Sequence, residues 1–244
     1  MIKAVELTKR YGSVDALRSF SLEVATGEIV ALVGPNGAGK TTALKLLVGL
    51  LRPSSGEAWL GNYHVLRHPL EAKRLMAFLP DQPFLYEQLT IAETVGFIGG
   101  MYQLAPPVLR ERADQLIHTF GLSGYLKTRV GHLSYGMKSR LALLISLLHA
   151  PRAFILDEPF FGLDPQTLRL IKQLLTEQAA RGMAILLSTH QLPIVEDLAH
   201  RIAILSEGRL VTLGTWDELK RIHGGTRLED VFFQLTNPHV RASS

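Results

Sequence analysis

The sequence predicts an α/β protein: a mostly parallel sheet covered by helices, with an antiparallel β subdomain and a helical insertion. Three observations carry this expectation. Apolar runs alternate with helical periodicities through the second half of the chain, the pattern of βαβ units. The first third reads mostly as strands separated by turn residues. Between about residues 90 and 133 the strand signal stops, and amphipathic helical segments take its place.

Taken in order, Ile2–Leu7, Phe20–Val24 and Ile29–Val33 are short apolar or alternating runs, with a turn at Thr26-Gly27. TTALKLLVGL then has helical spacing and ends at Arg52-Pro53-Ser54-Ser55-Gly56. GEAWLGN reads as an edge strand and LMAFLP as a core strand. TIAETVGFIGGMYQL and PPVLRERADQLIHTFGL are the amphipathic helices of the insertion, with Pro107 suited to a first helical turn. The run that follows LSYGMKSR is apolar and helical. RAFILDEP is a buried strand, and DPQTLRLIKQLLTEQAARG a helix capped by Asp164 with Pro165 at its first position. MAILLSTH is a strand, QLPIVEDLAH a helix, and RIAILSEGRLVTLG a hairpin turning at Glu207-Gly208. LEDVFFQLT places Leu228, Val231, Phe232 and Leu235 on one helical stripe, and the tail after Asn237 is expected to fray.

With 244 residues, 47% of them hydrophobic, the chain is large enough for one α/β domain with a modest insertion. The net charge of +4 does not call for a nucleic-acid partner, and no block of like charges forms a basic arm. The absence of cysteine excludes disulfides, thiolate nucleophiles and zinc–thiolate sites, and fits a reducing compartment. The N-terminus alternates like a strand rather than carrying the apolar core of a signal peptide. The longest apolar stretch, Leu141–Pro151, is shorter than the roughly 20 residues a membrane span requires. The chain is therefore expected to be soluble or to dock onto a membrane through another protein.

The most specific chemical signal is GPNGAGKTT, residues 34–42. It matches G-x-x-x-x-G-K-[ST] between a strand and a helix, and so predicts a P-loop NTPase core. Its glycines let the backbone of Gly34, Pro35, Asn36, Gly37, Ala38 and Gly39 curl so that N–H groups point at phosphate oxygens, while the following helix adds its dipole. Lys40 can reach the β- and γ-phosphates, the Thr41 hydroxyl can bind Mg²⁺, and Thr42 closes the loop. The strand FILDEP ends in two carboxylates: Asp157 is suited to hold Mg²⁺ through water and Glu158 to polarise an attacking water. His190, ending Ser188-Thr189-His190, can either touch a γ-phosphate or stand solvated at a strand end. Gln82 is equally a plain loop residue, and Tyr11 equally a packing aromatic.

LSYGMKSR, residues 133–140, is a second helix start with a small polar entry. Such a start is an anion site. One nucleotide does not need two of them on one side, so Ser134 and Gly136 are expected to meet the γ-phosphate of a nucleotide held by another copy. The alternative is an ordinary cap, with Ser134 serving only its own helix.

The order of these motifs, GPNGAGKT, a glutamine after a strand, LSYG, FILDEP, GLD and STH, strongly resembles the ATP-binding cassette (ABC) ATPases across about Ile2–Leu213. The resemblance implies that Tyr11 stacks on adenine and that Gln82 contacts Mg²⁺ or water and senses a membrane partner. It implies that Ser134 and Gly136 act across a head-to-tail dimer, that Asp164 lies in the loop joining the two active sites, and that His190 is the switch histidine. Two ATP molecules would be sandwiched between two copies. The family signature is commonly LSGGQ; here Tyr135 replaces the first glycine and Met137 the glutamine, and Met137 lacks an amide's hydrogen bonds. Phe160 and Phe161 stand where small or polar residues are usual.

The resemblance further implies a groove for a transmembrane permease subunit, lined here near Gln82, Phe84, Leu85, Tyr86 and Leu89, and a position on the cytoplasmic face of the cell membrane. Together with SYGMKSR, the C-terminal stripe resembles exporters whose ATPase and membrane subunits are separate chains. Residues 1–226 are then the nucleotide-binding domain, with its helical subdomain at about 90–133, and 227–244 a C-terminal helix and tail. The expected activity is Mg²⁺-dependent ATP hydrolysis. Two other readings exist: a soluble ABC ATPase acting on nucleic acid or ribosomes, and a regulatory subunit with weak hydrolysis. The first usually carries a coiled-coil insertion or two cassettes in one chain, neither of which is visible. Intact Lys40, Asp157, Glu158 and His190 argue against the second.

Overall fold

The computed structural model describes residues 1–236; the tail expected to fray after Asn237 lies outside them. Strands β1 (Ile2–Tyr11) and β2 (Val14–Val24) form a long hairpin, followed by β3 (Ile29–Val33) and helix α1 (Lys40–Leu47). Next come β4 (Ser55–Leu60), β5 (Tyr63–His64), α2 (Pro69–Leu75) and β6 (Met76–Leu79). The insertion supplies α3 (Ile91–Met101) and α4 (Pro106–Thr119), and α5 (Tyr135–Leu147) returns to the core. The remainder is β7 (Ala153–Asp157), α6 (Pro165–Ala180), β8 (Ala184–Ser188), α7 (Leu192–Leu198), β9 (Arg201–Ser206), β10 (Arg209–Gly214), α8 (Trp216–His223) and α9 (Leu228–Thr236).

Two sheets result. One is antiparallel in the order β2-β1-β4-β5; the other runs β10-β9-β3-β8-β7-β6. In the second, β9, β3, β8, β7 and β6 are parallel and only β10 is antiparallel to its neighbour. The expected α/β architecture, with its antiparallel subdomain and helical insertion, is present.

Strands β3, β7 and β8 are buried at every position, which explains their unbroken apolar sequences. The pleat divides their side chains between two cores. Ile29, Ala31 and Val33 join the core containing the insertion helices. Val30 and Leu32 join the core under α1 and the antiparallel sheet. The parallel ladder matters for the site because it brings the C-terminal ends of β3, β7 and β8 side by side: Leu32 pairs with Ser188, and Asp157 with Ser188. Ligands of open α/β sheets bind at that edge.

The structure differs from the sequence reading at four places. Strand β4, read as an edge strand, lies between β1 and β5, because the two-residue β5 pairs along its outer side. The first hairpin extends to Tyr11 and starts again at Val14, because register shifts between Ala4 and Arg10 break the alternation that marks a strand. Helix α2 was not expected: of PLEAKRL only Ala72 is buried, so no apolar stripe announces it. Helix α8 follows the hairpin directly, started by a capping box between Thr215 and Glu218.

Candidate nucleotide-binding site

The loop between β3 and α1 is held so tightly that two of its glycines are obligatory. A Cβ on Gly34 would lie 2.4 Å from the Leu205 carbonyl oxygen, and one on Gly39 2.5 Å from that of Ala16. Gly39 also has φ +103°, in the region L side chains avoid. The loop therefore nests against β2 and the end of β9, with its backbone curled around a cavity of about 330 Å³. Asn36, Gly37, Ala38, Gly39, Lys40, Thr41 and Thr42 line it, joined by Ala16, Asp81 and Glu158.

Lys40 is folded onto its own loop, its Nζ donating to the carbonyl oxygens of Gly34 at 2.7 Å and Pro35 at 3.3 Å. Burial lowers the ammonium pKa, and the nearby Glu158 and Asp157 carboxylates oppose that shift. Asp157 ends β7 almost fully buried and accepts a 2.5 Å hydrogen bond from the Ser188 hydroxyl. Glu158, one residue on, leaves the strand at φ +49°, and its N–H donates to the Ser188 carbonyl at 3.1 Å. That turn carries its carboxylate to His190, whose Nδ1 lies 2.9 Å from Oε2. Burial pushes the Asp81 carboxyl above the usual carboxylate range, with Asp157 and Glu158 adding to the shift and His190 opposing it.

Not every residue singled out in the sequence reaches this cavity. Tyr11 stands apart on the first hairpin, 48% exposed, with the Lys9 ammonium 5.1 Å from its ring centroid. Gln82 lines a groove of about 500 Å³ outside that cavity, whereas its neighbour Asp81 lines both the groove and the phosphate-loop cavity. Asp81 was missed because two adjacent polar residues after a strand cannot be told apart by pattern. Phe84, Leu85, Tyr86, Tyr135 and Lys138 line the same groove, and the Lys138 ammonium closes on Glu87 at 2.8 Å.

Ser134 and Gly136 do not line the phosphate-loop cavity of their own chain. Ser134 caps α5, its hydroxyl accepting from the Met137 N–H at 3.3 Å. Gly136 lies so close to Asp164 that a Cβ would come 3.2 Å from Oδ2. Asp164 caps α6 by accepting from the Thr167 N–H at 2.9 Å and from its hydroxyl at 2.7 Å. Arg140 Nη2 donates to the same hydroxyl oxygen at 2.6 Å, so the starts of α5 and α6 are tied together. The two unusual aromatics meet here: the Tyr135 hydroxyl donates to the Phe161 carbonyl at 3.3 Å.

The oxygen donors Thr41, Asp157 and Asp81 suit a hard cation such as Mg²⁺. Among the described residues no three His, Asp or Glu side chains form a self-sufficient metal cage. Mg²⁺ is commonly held by one or two carboxylates and completed by substrate phosphates.

Known sequences and structures resemble this chain. Residues 17–161 match the family described as ABC transporter. The chain is 34% identical over 221 residues to the lipopolysaccharide export system ATP-binding protein LptB of Acidithiobacillus ferridurans, covering 90% of this chain and 92% of that one. Its fold is similar to a solved ATP-binding subunit of an ABC transporter, with TM-score 0.91, 34% identity, and coverage of 96% of this chain and 99% of the other. It is also similar to a dimeric ATP-binding cassette in a post-hydrolysis state bound to ADP and Pi, with TM-score 0.79, 25% identity, and coverage of 88% and 98%. No helix among the described residues is long and apolar enough to cross a membrane. By sequence, by fold and by the build of its phosphate loop, this chain belongs to the ABC transporter family, among its ATP-binding subunits.

Proposed function

We propose that this protein is the ATP-hydrolysing subunit of an exporter whose membrane-spanning permease is a separate chain. The observation that carries the reading is the convergence of the 34–42 loop and Glu158 on one cavity, with His190 hydrogen-bonded to that glutamate. The backbone N–H groups of Asn36 to Thr42 cradle the phosphates of ATP, with Lys40 released from its loop carbonyls to meet the β- and γ-phosphates. Thr41 and Asp157 would hold Mg²⁺, which when bound would supply positive charge against the phosphates. Glu158 accepts the proton of the attacking water, and His190 orients that carboxylate. Most of the rate arises from positioning and electrostatics.

Two copies close around two ATP molecules, each offering Ser134 and Gly136 to the γ-phosphate held by the other, and Tyr11 stacks on adenine. Residues 1–226 act as the nucleotide-binding domain, with about 90–133 as its helical subdomain and α9 as a C-terminal appendage. The groove at Gln82 receives the permease on the cytoplasmic face of the membrane. An exposed aromatic chain supports that use: Phe84 is 80% exposed and meets Tyr86 edge-on at 5.2 Å, and Tyr86 meets Phe97 at 5.4 Å. The export direction draws support from the relative named for lipopolysaccharide export.

Tagged Glu158→Gln protein loaded with ATP, recovered from gently solubilised cells of its source, tests the partner. Stoichiometric recovery of a multi-span membrane protein is the expected result. Recovery of ribosomes or soluble proteins alone overturns the permease reading. A steady-state ATPase assay with Mg²⁺ and with chelator tests the chemistry separately.

A further inference from the structure

A second polar cavity, of about 300 Å³, lies where the end of α4 meets α5 and α6. His118 comes from the last turn of α4, Arg140 from α5, and Gln166, Arg169 and Gln173 from α6. The three α6 residues are spaced three and four apart, so they share one face of that helix. Among the described residues no Asp or Glu lines this cavity. The structure assigns to it a small phosphate dianion, free or as a phosphomonoester, held between the Arg140 and Arg169 guanidiniums.

The argument starts from Arg140. Its Nε and Nη2 both donate to the Thr167 hydroxyl oxygen, at 3.1 and 2.6 Å. That hydroxyl gives its own proton to Asp164, so the carboxylate is linked to Arg140 through a neutral group. Nη1 is left over. A Cβ on Gly121 would stand 3.8 Å from it, and it makes no hydrogen bond to a described residue. A cation beside a helix C-terminus ordinarily takes the last carbonyls. Here the Leu116, Ile117 and His118 carbonyls already accept from the N–H groups of Phe120, Leu122 and Gly121. Neither Arg140 nor Arg169 forms an ion pair among the described residues. Two like charges lining one space repel each other, and an anion between them reverses the sign. A phosphomonoester carries about −1.5 to −2 charge at pH 7 and three acceptor oxygens, which suits two guanidiniums and the Gln166 amide. Gln166 also stands in the first turn of α6, at the positive end of its dipole. Gln173 contributes less, because its amide donates to Glu177 at 2.9 Å.

The test is calorimetric titration of the full chain with inorganic phosphate and with glycerol 3-phosphate, at fixed ionic strength in chloride. Arg169 is exposed, so Arg169→Gln removes the charge and keeps the fold, which circular dichroism checks. Lys40→Ala weakens phosphate binding at the 34–42 loop and leaves this cavity whole. Saturable binding is expected to survive Lys40→Ala and to weaken about tenfold when Arg169→Gln is added. Tighter binding of the ester identifies a phosphomonoester as the occupant; equal binding identifies free phosphate. Lack of saturable binding in Lys40→Ala up to about 10 mM of either probe, or binding there that Arg169→Gln leaves unchanged, overturns the assignment. Acetate binding as tightly as phosphate also overturns it, since charge alone would then suffice. ATP hydrolysis plays no part in the readout, so failure of the ATPase reading and failure of this assignment are separate results.

Discussion

His190 holds Glu158 at two points: its Nδ1 lies 2.9 Å from Oε2, and its backbone N–H donates to the same oxygen at 3.3 Å. The carboxylate reaches that position because Glu158 leaves β7 at φ +49°, a conformation uncommon for residues other than glycine. The strand end therefore keeps one oxygen of this carboxylate on the histidine while Glu158 lines the phosphate-loop cavity.

Glu158→Gln preserves side-chain shape and a hydrogen bond to His190 but removes the proton acceptor. Turnover is expected to fall about 10²- to 10⁴-fold with ATP binding retained. His190→Ala leaves the base in place and releases its orientation, so turnover falls while ATP binding again stays within about threefold. Single-turnover kinetics beside equilibrium ATP binding separates the two quantities. Unchanged turnover in Glu158→Gln removes that residue from the mechanism.

Tyr135 and Gly162 form the second pair to test. A Cβ on Gly162 would stand 3.2 Å from the Tyr135 ring, and Gly162 has φ +68°. Gly162→Ala meets both a strained backbone and a displaced ring, and is expected to cost about 1–3 kcal/mol in urea unfolding. Tyr135→Gly alone loses one exposed hydrogen bond, to the Phe161 carbonyl, and is expected to cost under about 1 kcal/mol. Because the two residues touch, the double variant is expected to be less than additive by at least about 0.5 kcal/mol. Strict additivity would show that the ring does not constrain the loop.

What the sequence made legible follows from how local each feature is. Residues 34–42 form a loop whose function is written in its own glycines and lysine, so motif and structure coincide. Strands β3, β7 and β8 were legible because burial on both faces leaves only apolar residues. Ser134 as a cap was legible for the same reason, since a cap needs only its own next turn. Asp81 was not: which of two neighbouring side chains enters the cavity depends on the path of the chain after β6, set by tertiary packing. The contact between Tyr135 and Phe161 spans 26 residues, and no periodicity encodes it. Each aromatic looked like an isolated departure from LSGGQ and its companion loop, and only the fold puts the two in contact. Helix α2 was invisible because it buries almost nothing, whereas α8 carried a readable Thr215–Glu218 capping box.

The last prediction concerns His149, just beyond α5. Its ring stacks on Tyr102 with centroids 3.9 Å apart and planes 5° from parallel, and its Nε2 lies 2.9 Å from the Met76 carbonyl oxygen. That carbonyl can only accept, so Nε2 carries the proton, and Nδ1 is buried without a partner. Two effects compete. A helix C-terminus favours a charged imidazolium, while burial disfavours it and Arg112, whose Nη1 donates to the Leu148 carbonyl at 3.2 Å, adds repulsion. Burial is the largest influence and holds the imidazole pKa below its ordinary value despite the bond to Met76. The sign follows from linkage. Below about pH 6.5 the unfolded chain takes up a proton that the folded chain refuses, so stability is present above that pH and is lost on acidification towards the folded pKa, by at most about 1.4 kcal/mol per pH unit. His149→Phe keeps the stack and abolishes the titration. Unfolding free energies of the two proteins, measured at several pH values between 7.5 and 5.5, are expected to show the unsubstituted chain losing ground to the variant as pH falls. If it gains ground instead, the helix terminus has outweighed burial and His149 is charged in the fold.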